Sequence, residues 1–319
     1  MSQEPRADQV DVLGLGAVAV DDMLFLDHFP TPDSKIAIRR VERRAGGNTG
    51  TALVAARKMG RSAAYAGALG RDDLSRFILD GFTAEGVDIR HLVSAGSARP
   101  FHSTILIDTQ TQTRTILYNQ EDVIGASEAG PPEQIIRGAR SLLVDFVGVP
   151  GMVRAARVAR AAGVPVIADF ERAEHPLFPE LLSLVDHLIL PDHFAREISG
   201  AAAAAAAVRA LWAPGRAAVV VTRSADGCWY MTAEDGGRVF HQPAFSVKEV
   251  DTNGCGDVFH GVYAAGLCEG KPAAERIRFA SLVAALKATN AGGQKAIPTR
   301  AEADRFAAAR AKEAPRSEC

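Results

Sequence analysis

The chain has 319 residues, of which 47% are hydrophobic and 23% charged, which is enough to bury a full core. Its net charge of −2 excludes a strongly basic surface, so we expect neither nucleic acid nor an anionic membrane as a partner. Four cysteines without metal-ligand spacing, a polar N-terminus and no long apolar run predict reduced thiols, no membrane span and a cytoplasmic protein.

The N-terminal stretch contains an apparent dinucleotide motif. Residues 1–9 are polar and predicted to be disordered, and the apolar, β-branched residues 10–19 predict a buried strand. Within this strand, Gly14-Leu15-Gly16-Ala17-Val18-Ala19 matches the pattern G-x-G-x-x-A. That fingerprint needs a helix opening at the glycines, and Asp21 and Asp22 interrupt it after five residues. The sequence therefore argues against a nicotinamide enzyme.

Two short strands, at residues 23–26 and 35–41, come next and are separated by a turn at residues 30–33. Neither has the continuous apolar character of a core strand in a parallel sheet. We therefore predict that both strands belong to a small subdomain that covers a site. Residues 101–107 and 113–118 alternate around a turn and predict a hairpin.

A glycine-rich loop, Ala45-Gly46-Gly47-Asn48-Thr49-Gly50, leads into a helix that starts at Thr51 and ends at Gly60. It lacks the Lys-Ser/Thr pair of a P-loop. Asn48 is either a plain N-cap or, together with backbone amides, a ligand for substrate hydroxyls. We favour the second interpretation because a second glycine-rich loop occurs downstream.

Strict alternation of strands and helices begins after residue 140. We predict strands at residues 142–146, 164–169, 187–190 and 217–222, and helices at residues 151–161, 180–184, 193–198 and 201–211. This pattern indicates a parallel sheet covered by helices on both faces. Such sheets bind ligands at the carboxyl ends of their strands, where Asp21, Asp145, Asp169 and Thr222 lie. A hairpin at residues 227–231 and 238–240 follows.

The second glycine-rich loop, at residues 251–261, reads Asp-Thr-Asn-Gly-Cys-Gly-Asp-Val-Phe-His-Gly and opens a helix that runs to residue 268. Free N–H groups and the positive helix end at Gly254–Gly256 favour an anion. Asp257 lies beside this anion site, where a carboxylate accepts a proton from a hydroxyl that attacks phosphorus. Helices at residues 272–290 and 300–312 and a frayed tail at residues 313–319 complete the chain.

The two loops together resemble the N-terminal and C-terminal signatures of the ribokinase-like (PfkB) carbohydrate kinases. The resemblance covers nearly the whole chain. It implies one domain over residues 1–319, built as an α/β three-layer α/β/α sandwich with a mainly parallel central sheet. It also implies a small β-sheet lid formed by about residues 22–44 and 100–120, which often pairs two subunits into a homodimer. The implied activity is ATP-dependent transfer of the γ-phosphate to a primary hydroxyl of a small sugar.

The resemblance assigns site residues by their numbers in this chain. Asp257 is the implied general base, and the transferring phosphoryl group meets the amides of Gly254, Cys255 and Gly256. The implied substrate residues are Asp21, Lys35, Gly46, Gly47 and Asn48, with His102 and Arg114 as lid positions that are either substrate contacts or solvated strand residues. The implied nucleotide residues are Thr222, Ser224, Gly227 and Ser281. Mg²⁺ is implied with ATP, and a monovalent cation such as K⁺ near Asp251 and the turn at residues 288–293.

Two departures from the family pattern affect these expectations. The motif Asn-x-x-Glu is replaced by Pro191-Asp192-His193-Phe194, so either Asp192 substitutes or Mg²⁺ rests on phosphates and water. Cys255 stands where alanine is usual, and we favour a buried spacer over a reactive thiol.

Several C-terminal stretches look most similar to sulfofructose kinases, as does Lys35, which matches a sulfonate-contacting lysine. Val147, however, stands in the place of their sulfonate-contacting arginine. We therefore place a ketose or pentose ahead of a sulfosugar as substrate. A nucleoside kinase of the same fold, with Phe101 and Tyr118 available to the substrate, and a non-catalytic sugar sensor are the alternatives.

Overall fold

A nine-stranded sheet lies at the centre of the structure, a computed structural model that describes residues 9–111, 113–311, 313 and 315–319. The strands are β1 (Val12–Leu15), β2 (Ala19–Leu26), β3 (Arg40–Gly46), β4 (Ala63–Tyr65), β5 (Ala68–Leu69), β6 (Val93–Ser94), β7 (Phe101–Asp108), β8 (Arg114–Asn119), β9 (Ser141–Val144), β10 (Val166–Asp169), β11 (His187–Pro191), β12 (Ala218–Thr222), β13 (Cys228–Thr232), β14 (Phe240–Gln242) and β15 (Ser317–Glu318). The disorder predicted for residues 1–9 concerns residues that, apart from Gln9, lie outside the described ones.

The α-helices of the described residues alternate with the strands from β9 to β12, as predicted. They are α1 (Asn48–Lys58), α2 (Asp73–Glu85), α3 (Glu133–Gly138), α4 (Val149–Ala161), α5 (Phe178–Ser183), α6 (Asp192–Ser199), α7 (Ala204–Leu211), α8 (Cys255–Cys268), α9 (Ala273–Ala288) and α10 (Arg300–Ala309). None of the helices in the described segments is long and apolar enough to cross a membrane.

The central sheet has the order β15-β14-β13-β12-β11-β10-β9-β1-β4. The six strands from β12 to β4 in this order run parallel, and β13, β14 and β15 are antiparallel additions at one edge. The prediction of a mainly parallel central sheet is confirmed. The carboxyl ends of the parallel strands therefore meet along one edge of the sheet, where ligands of such folds bind.

Two separate hydrophobic cores cover the two faces of this sheet. Neighbouring residues of a strand alternate between them, so that Val12 packs in the core that contains α1, α8 and α9, whereas Leu13 packs with α4 and α7. Both faces of the parallel strands are buried, which explains why their sequences are continuously apolar rather than alternating. This arrangement confirms the predicted α/β/α sandwich.

The described residues also form a second sheet with the order β3-β2-β7-β8, which contains the segments predicted as a lid and is called the lid below. β2, β7 and β8 overlap the predicted strands, although β2 begins at Ala19, earlier than expected. The strand predicted over residues 35–41 is wrong, because β3 covers Arg40–Gly46 and residues 35–39 are not in a strand. The single strand predicted over residues 10–19 is wrong, because the chain leaves the central sheet after Leu15 and enters the lid at Ala19. Gly16, with a φ of 134°, makes this change of direction.

The C-terminal tail also differs from the prediction. Residues Ser317 and Glu318 pair with β14 and extend the central sheet, so this part of the tail is not frayed. Strands pair at an open sheet edge through backbone N–H and C=O groups, whatever their side chains. The composition of the tail therefore did not reveal this pairing. The helix predicted over residues 300–312 ends at Ala309, and Lys312 lies outside the described residues.

Helices α1 and α8 pack closely enough to bring the two glycine-rich loops together. A Cβ atom at Gly261 of α8 would lie 2.1 Å from the carbonyl oxygen of Ala52 in α1. Only glycine permits such close backbone contact. At the N-terminal ends of the same helices, a Cβ atom at Gly254 would lie 3.6 Å from Cγ2 of Thr51. The sequence motifs that start α1 and α8 are thus neighbours in space.

Candidate active site

Asp257 lies in the first turn of α8, directly after the second glycine-rich loop. Gly254 precedes the helix in the left-handed conformation, with a φ of 76°. The Cys255 N–H donates to the Thr252 carbonyl oxygen at 3.2 Å. The N–H groups of Gly256 and Asp257 belong to the first turn of α8, where no preceding turn of the helix supplies carbonyl acceptors. A Cβ atom at Gly256 would have no atom within 4 Å, so the space in front of this helix end is open. Open space at a helix N-terminus suits an anionic group.

Asn48 is the first residue of α1, and its side chain is not an N-cap. The N-cap position belongs to Gly47, and no side chain caps the helix. Gly47 has a φ of 87°, and a Cβ atom there would lie 2.5 Å from the Cα atom of Val18. The Asn48 side chain points elsewhere and donates from Nδ2 to Oδ2 of Asp169 at 3.2 Å. The simple capping interpretation of Asn48 is therefore wrong.

Asp169 connects the two glycine-rich loops. It ends β10, is 4% exposed, accepts from Asn48, and lies 3.5 Å from Nδ1 of His260 on α8. Burial raises the pKa of Asp169 well above its usual value, and the charge of Glu171 adds to this effect. Burial likewise raises the pKa of Asp257 well above its usual value, and the charge of Asp169 is the second largest cause of this rise. Asn48, Asp169 and Asp257 thus form one electrostatically connected cluster.

His260 is a buried member of this cluster that sequence analysis did not identify. Nδ1 lies 2.8 Å from the Gly256 carbonyl oxygen and Nε2 lies 3.1 Å from that of Ile189. Carbonyl oxygens only accept hydrogen bonds, so a ring nitrogen of His260 that carries hydrogen donates to the carbonyl oxygen it faces. Nδ1 also lies 3.5 Å from the carboxyl group of Asp169. The available signal was a histidine three residues after Asp257 in an otherwise apolar helix.

Asp145 is a fully buried carboxylate that supports the site. It accepts hydrogen bonds from the backbone N–H of Ala17 at 2.6 Å, from that of Val147 at 2.8 Å and from Oγ1 of Thr49 at 2.8 Å. Burial raises the pKa of Asp145 to about 6. A Cβ atom at Gly16 would lie 2.3 Å from its carboxylate oxygens. Asp145 therefore holds the start of α1 against the end of β1.

Asp21 reaches from the lid toward the asparagine loop. It lies on β2 opposite Arg44 of β3 and Ser103 of β7, and a Cβ atom at Gly46 would lie 3.2 Å from its Oδ2. Burial raises the pKa of Asp21, although the hydrogen bond from Ser103 and the charge of Arg44 oppose this effect. The structure thus places Asp21 next to Gly46, in the loop that continues with Gly47 and Asn48, and their contact with substrate stays a prediction.

His102 does not share a face of the lid with Asp21. It aligns with Val20, and its Nε2 lies 2.8 Å from the Asp22 carboxylate, which also pairs with Arg43. The hydrogen bond from Arg43 lowers the pKa of Asp22 to about 2. Because side chains alternate between the faces of a strand, His102 and Asp22 point away from Asp21. The register therefore places His102 and Asp21 on opposite faces of the lid, and a contact of His102 with substrate stays a prediction.

Arg114 and Lys35 lie apart from this group. The strand register aligns Arg114 with Ile107 and Ile107 with Phe25, four residues beyond Asp21 on β2. At about 3.3 Å per residue, this displacement is about 13 Å along the strand. Lys35 is exposed in the connection between β2 and β3, and no contact among the described residues joins it to Asp21. The substrate roles of both residues stay predictions.

The predicted nucleotide residues surround the turn between β12 and β13. Thr222 ends β12, Ser224 follows with a φ of 44°, and Gly227 has a φ of 86°. A Cβ atom at Gly227 would lie 2.1 Å from the Gln242 carbonyl oxygen, so this position requires glycine. Ser281 of α9 approaches the same turn, with its Oγ 3.9 Å from Sγ of Cys228. All four residues are therefore near one another.

Asp192 is held by arginines at the start of α6. Its Oδ2 lies 3.1 Å from Nε of Arg196 and 3.7 Å from Nε of Arg223, and its Oδ1 is buried without a hydrogen-bond partner in the structure. In the described segments, no group of three or more His, Cys, Asp or Glu side chains is arranged to hold a metal. A magnesium ion carried by nucleotide phosphates and water fits this arrangement, because Mg²⁺ rarely uses an all-protein cage. The contact of Asp192 with such a water stays a prediction.

Asp251 precedes the helix that carries Asp257, and a buried lysine contacts it. The Lys287 ammonium donates to the Asp251 carbonyl oxygen at 3.0 Å and to the Asn253 carbonyl oxygen at close range. Lys287 is 1% exposed, although it belongs to the apolar face of α9 with Ile277 and Val283. A charged residue on an apolar helix face was the signal that sequence analysis missed. These carbonyl oxygens lie where the resemblance implied a monovalent cation.

Cys255 has the environment of a packed thiol. Its Sγ donates to the Ala284 carbonyl oxygen at 3.5 Å, and burial raises the pKa of the Cys255 thiol to about 11. A thiol with so high a pKa carries almost no thiolate at neutral pH. The structure thus favours the spacer interpretation over a reactive cysteine.

Comparison with known proteins agrees with this geometry. Residues 11–300 match the family model described as pfkB family carbohydrate kinase. The chain is 27% identical to a ribokinase from Haemophilus influenzae over 304 residues, which are 92% of this chain and 96% of the relative. A solved ribokinase from Arabidopsis thaliana, complexed with ribose and ATP, superposes with a TM-score of 0.82 at 22% identity and covers 93% of this chain and 98% of its own. A ribokinase from Thermotoga maritima superposes with a TM-score of 0.81 at 22% identity, covering 93% and 99%. The chain therefore belongs to the pfkB family of carbohydrate kinases, which transfer a phosphoryl group to an alcohol.

Proposed function

We propose that this kinase transfers the γ-phosphoryl group of ATP to a primary hydroxyl of a small sugar, with Asp257 as the general base. The single observation that carries the proposal is the position of Asp257. It lies at the open N-terminal end of α8, beside the Asn48–Asp169 hydrogen bond. A hydroxyl held by Asn48 and Asp169 would be next to a base on one side and an anion-binding helix end on the other.

This arrangement suggests a role for each of the residues around Asp257. Asn48 and Asp21 bind and orient the sugar hydroxyls, and Asp257 takes the proton of the attacking hydroxyl. The N–H groups of the first turn of α8 stabilise the charge that develops on the transferring group. Thr222, Ser224, Gly227 and Ser281 bind the nucleotide. Mg²⁺, when bound to ATP, supplies charge neutralisation at the phosphates. No K⁺ is part of the proposal, because Lys287 already contacts the carbonyl oxygens beside Asp251.

Ribose is the sugar that we place first. The support comes from the relatives named ribokinase, one of which is solved with ribose and ATP. Fructokinase-1 from Zea mays, at 26% identity, makes fructose the next sugar to test. A cavity of about 320 Å³ lies between the base of the lid and the segments that follow β9 and β10, and residues Phe101, Val147 and Arg172 line it. Val147 and Arg172 follow Asp145 and Asp169 by two and three residues in the chain, so this cavity borders the segments that carry the buried carboxylates and is the space that we propose for a sugar substituent.

Arg172 favours a second candidate, a sugar with an anionic substituent. Its guanidinium lies over the Phe146 ring, 5.5 Å from the centroid, in the same cavity as Val147. Val147 cannot bind a sulfonate, but an arginine in this cavity offers the planar donors that sulfonates and phosphates prefer. Arg172→Gln would then raise the KM for sulfofructose and leave the KM for fructose unchanged.

The test is an ADP-release assay with ribose, fructose, sulfofructose and a nucleoside, together with thermal shifts for the same compounds. We expect turnover and a rise in Tm with one of the sugars, because a ligand of the native state raises Tm. A preference for the nucleoside would replace the sugar assignment. Sugar binding without any ADP release would contradict the proposed phosphotransfer.

The homodimer through the lid is also part of the proposal. Leu117 on β8 and Val41 on β3 are 55% and 59% exposed, and the strand register places both on the face of the lid that carries Asp22, away from Asp21. Exposed apolar residues of this kind are typical of a subunit contact. Light scattering after size exclusion should give a dimer, and Leu117→Asp should shift it toward the monomer. Leu177→Asp, an exposed apolar position outside the lid, is the matched control.

A further inference from the structure

We propose that the Lys287 ammonium is an internal cation that takes the place of a bound monovalent ion next to the phosphoryl-transfer site. The Lys287 side chain extends from α9 to the loop that precedes α8, and it is 1% exposed. Burial of an ammonium group is costly unless acceptors surround it. The groups around the Lys287 ammonium therefore indicate the function of its charge.

The acceptors around Lys287 are oxygens of the loop itself. Nζ donates to the Asp251 carbonyl oxygen at 3.0 Å and to the Asn253 carbonyl oxygen, and it lies 4.0 Å from Oδ1 of Asp251. Two backbone carbonyls and a carboxylate are oxygen ligands of the kind that hold a monovalent cation. An ammonium group and K⁺ carry the same charge and are similar in size, so the same set of oxygens accommodates either.

The ammonium and a free cation would compete for these oxygens. A cation bound to the Asp251 and Asn253 carbonyls would lie within a few ångströms of Nζ, and two positive charges at that separation repel strongly in a buried site. Arg44 adds further positive charge, because its Nη1 lies 3.4 Å from Oδ2 of Asp251. The monovalent cation implied by the family resemblance therefore does not fit beside Lys287.

The position of the loop explains why a fixed charge matters for activity. Residues 251–253 lead directly to Gly254, which starts the turn that presents the N–H groups of α8. By holding the carbonyl oxygens of this loop, Lys287 orients the peptides that follow them. Gly292 N–H and Asn253 N–H donate to the Asp251 carboxylate, at 3.4 Å and 3.0 Å, and complete the fixed geometry. Lys287 is thus a positioning residue, because it acts through the loop and touches no reacting atom.

The experiment compares the cation response of the native enzyme with that of Lys287→Ala and Lys287→Met. Activity and Tm are measured with KCl, NH₄Cl or tetramethylammonium chloride at constant ionic strength. We expect the native kcat to change by less than about twofold between these salts. Both variants should lose at least about tenfold in kcat in tetramethylammonium, the loss typical of a charged hydrogen bond. K⁺ or NH₄⁺ should restore Lys287→Ala, where the removed side chain leaves room for an ion, more than Lys287→Met.

The Tm measurement separates this inference, which rests on the proposed phosphotransfer, from the assignment of the sugar. A rise in Tm with K⁺ for Lys287→Ala, but not for the native protein, supports an ion site in the variant whatever the substrate is. Lys295→Met, at an exposed lysine of the following segment, is the matched control and should respond as the native protein does. A K⁺-dependent Tm or kcat of the native enzyme would overturn the proposal, even if the variants do not fold. A folded Lys287→Ala variant whose kcat and Tm are the same in all three salts would overturn the proposal as well.

Discussion

Nδ2 of Asn48 donates a hydrogen bond to Oδ2 of Asp169 at 3.2 Å, across 121 residues of sequence. This contact joins the start of α1 to the carboxyl end of β10, beside the helix that carries Asp257. An asparagine that donates to a carboxylate keeps its own carbonyl oxygen free to accept from a sugar hydroxyl. The pair is therefore already arranged as the proposed binding of substrate hydroxyl groups requires.

Replacement of the proposed base should remove most of the activity. Asp257→Asn keeps the shape of the side chain but cannot take a proton, so kcat should fall by at least about 100-fold with little change in the KM for the sugar. Steady-state kinetics at saturating ATP measure both values. Asp80→Asn, at an exposed position on α2, is the control and should be unaffected. Near-normal turnover by Asp257→Asn would remove Asp257 from the mechanism.

The pH dependence of activity should report the charge of Asp169. Burial and then the charge of Asp169 raise the pKa of Asp257, and the base is active only above its pKa. The value of kcat/KM should therefore fall as pH decreases through this raised pKa. Asp169→Asn removes a repulsive charge, so the acidic limb of the kcat/KM profile should move to lower pH. This shift is measured separately from any decrease in the maximal kcat/KM.

Glu171→Gln provides an independent check of this effect. Glu171 is exposed, and its charge also raises the pKa of Asp257, after burial and Asp169. The acidic limb should move in the same direction but by less than with Asp169→Asn. An acidic limb that stays at the same pH in both variants would contradict the electrostatic connection.

Removal of the Asn48 amide should weaken sugar binding selectively. Asn48→Ala deletes the proposed contact with substrate and leaves Asp169 without this donor, so the KM for the sugar should rise by about tenfold or more. The KM for ATP should change little, because the nucleotide residues lie around the β12–β13 turn. Gln134→Ala, an exposed amide on α3, is the control. An equal rise in both KM values would indicate general damage rather than loss of a substrate contact.

Gly16 should be intolerant of a side chain. Its φ of 134° and the carboxylate oxygens of Asp145, 2.3 Å from the position of a Cβ atom, predict that Gly16→Ala lowers the free energy of unfolding by about 3 kcal/mol or more. Gly60→Ala is the matched control, since Gly60 also has a positive φ, 82°, but no atom within 4 Å of its Cβ position. It should cost only about 1–2 kcal/mol. Urea unfolding of both variants measures the difference, and equal costs would refute the steric argument.

Local signals predicted much of the fold. The apolar strands and their alternation with helices required a parallel sheet with two covered faces, because a strand buried on both sides has no polar face. The glycine loops before α1 and α8 were recognisable because a left-handed or crowded backbone position selects glycine wherever it occurs. The family resemblance of these loops supplied the kinase assignment, which the family match confirmed.

Other features depended on contacts between distant parts of the chain. Side-chain alternation on β2 and β7 placed His102 with Asp22 instead of Asp21, and this depends on strand register. The pairing of residues 317 and 318 with β14 uses only backbone groups and leaves no mark in the composition.

The sequence by itself determined which residues open α1 and α8 and which strands form the core, because these choices follow from local dihedral angles and from hydrophobic pattern. Only the tertiary structure decided that Asp169 and His260 join the proposed catalytic cluster and that Lys287 holds the loop before α8. Hydrogen bonds and charge interactions act over a few ångströms in space. Their partners here are up to 121 residues apart, so no local pattern specifies them.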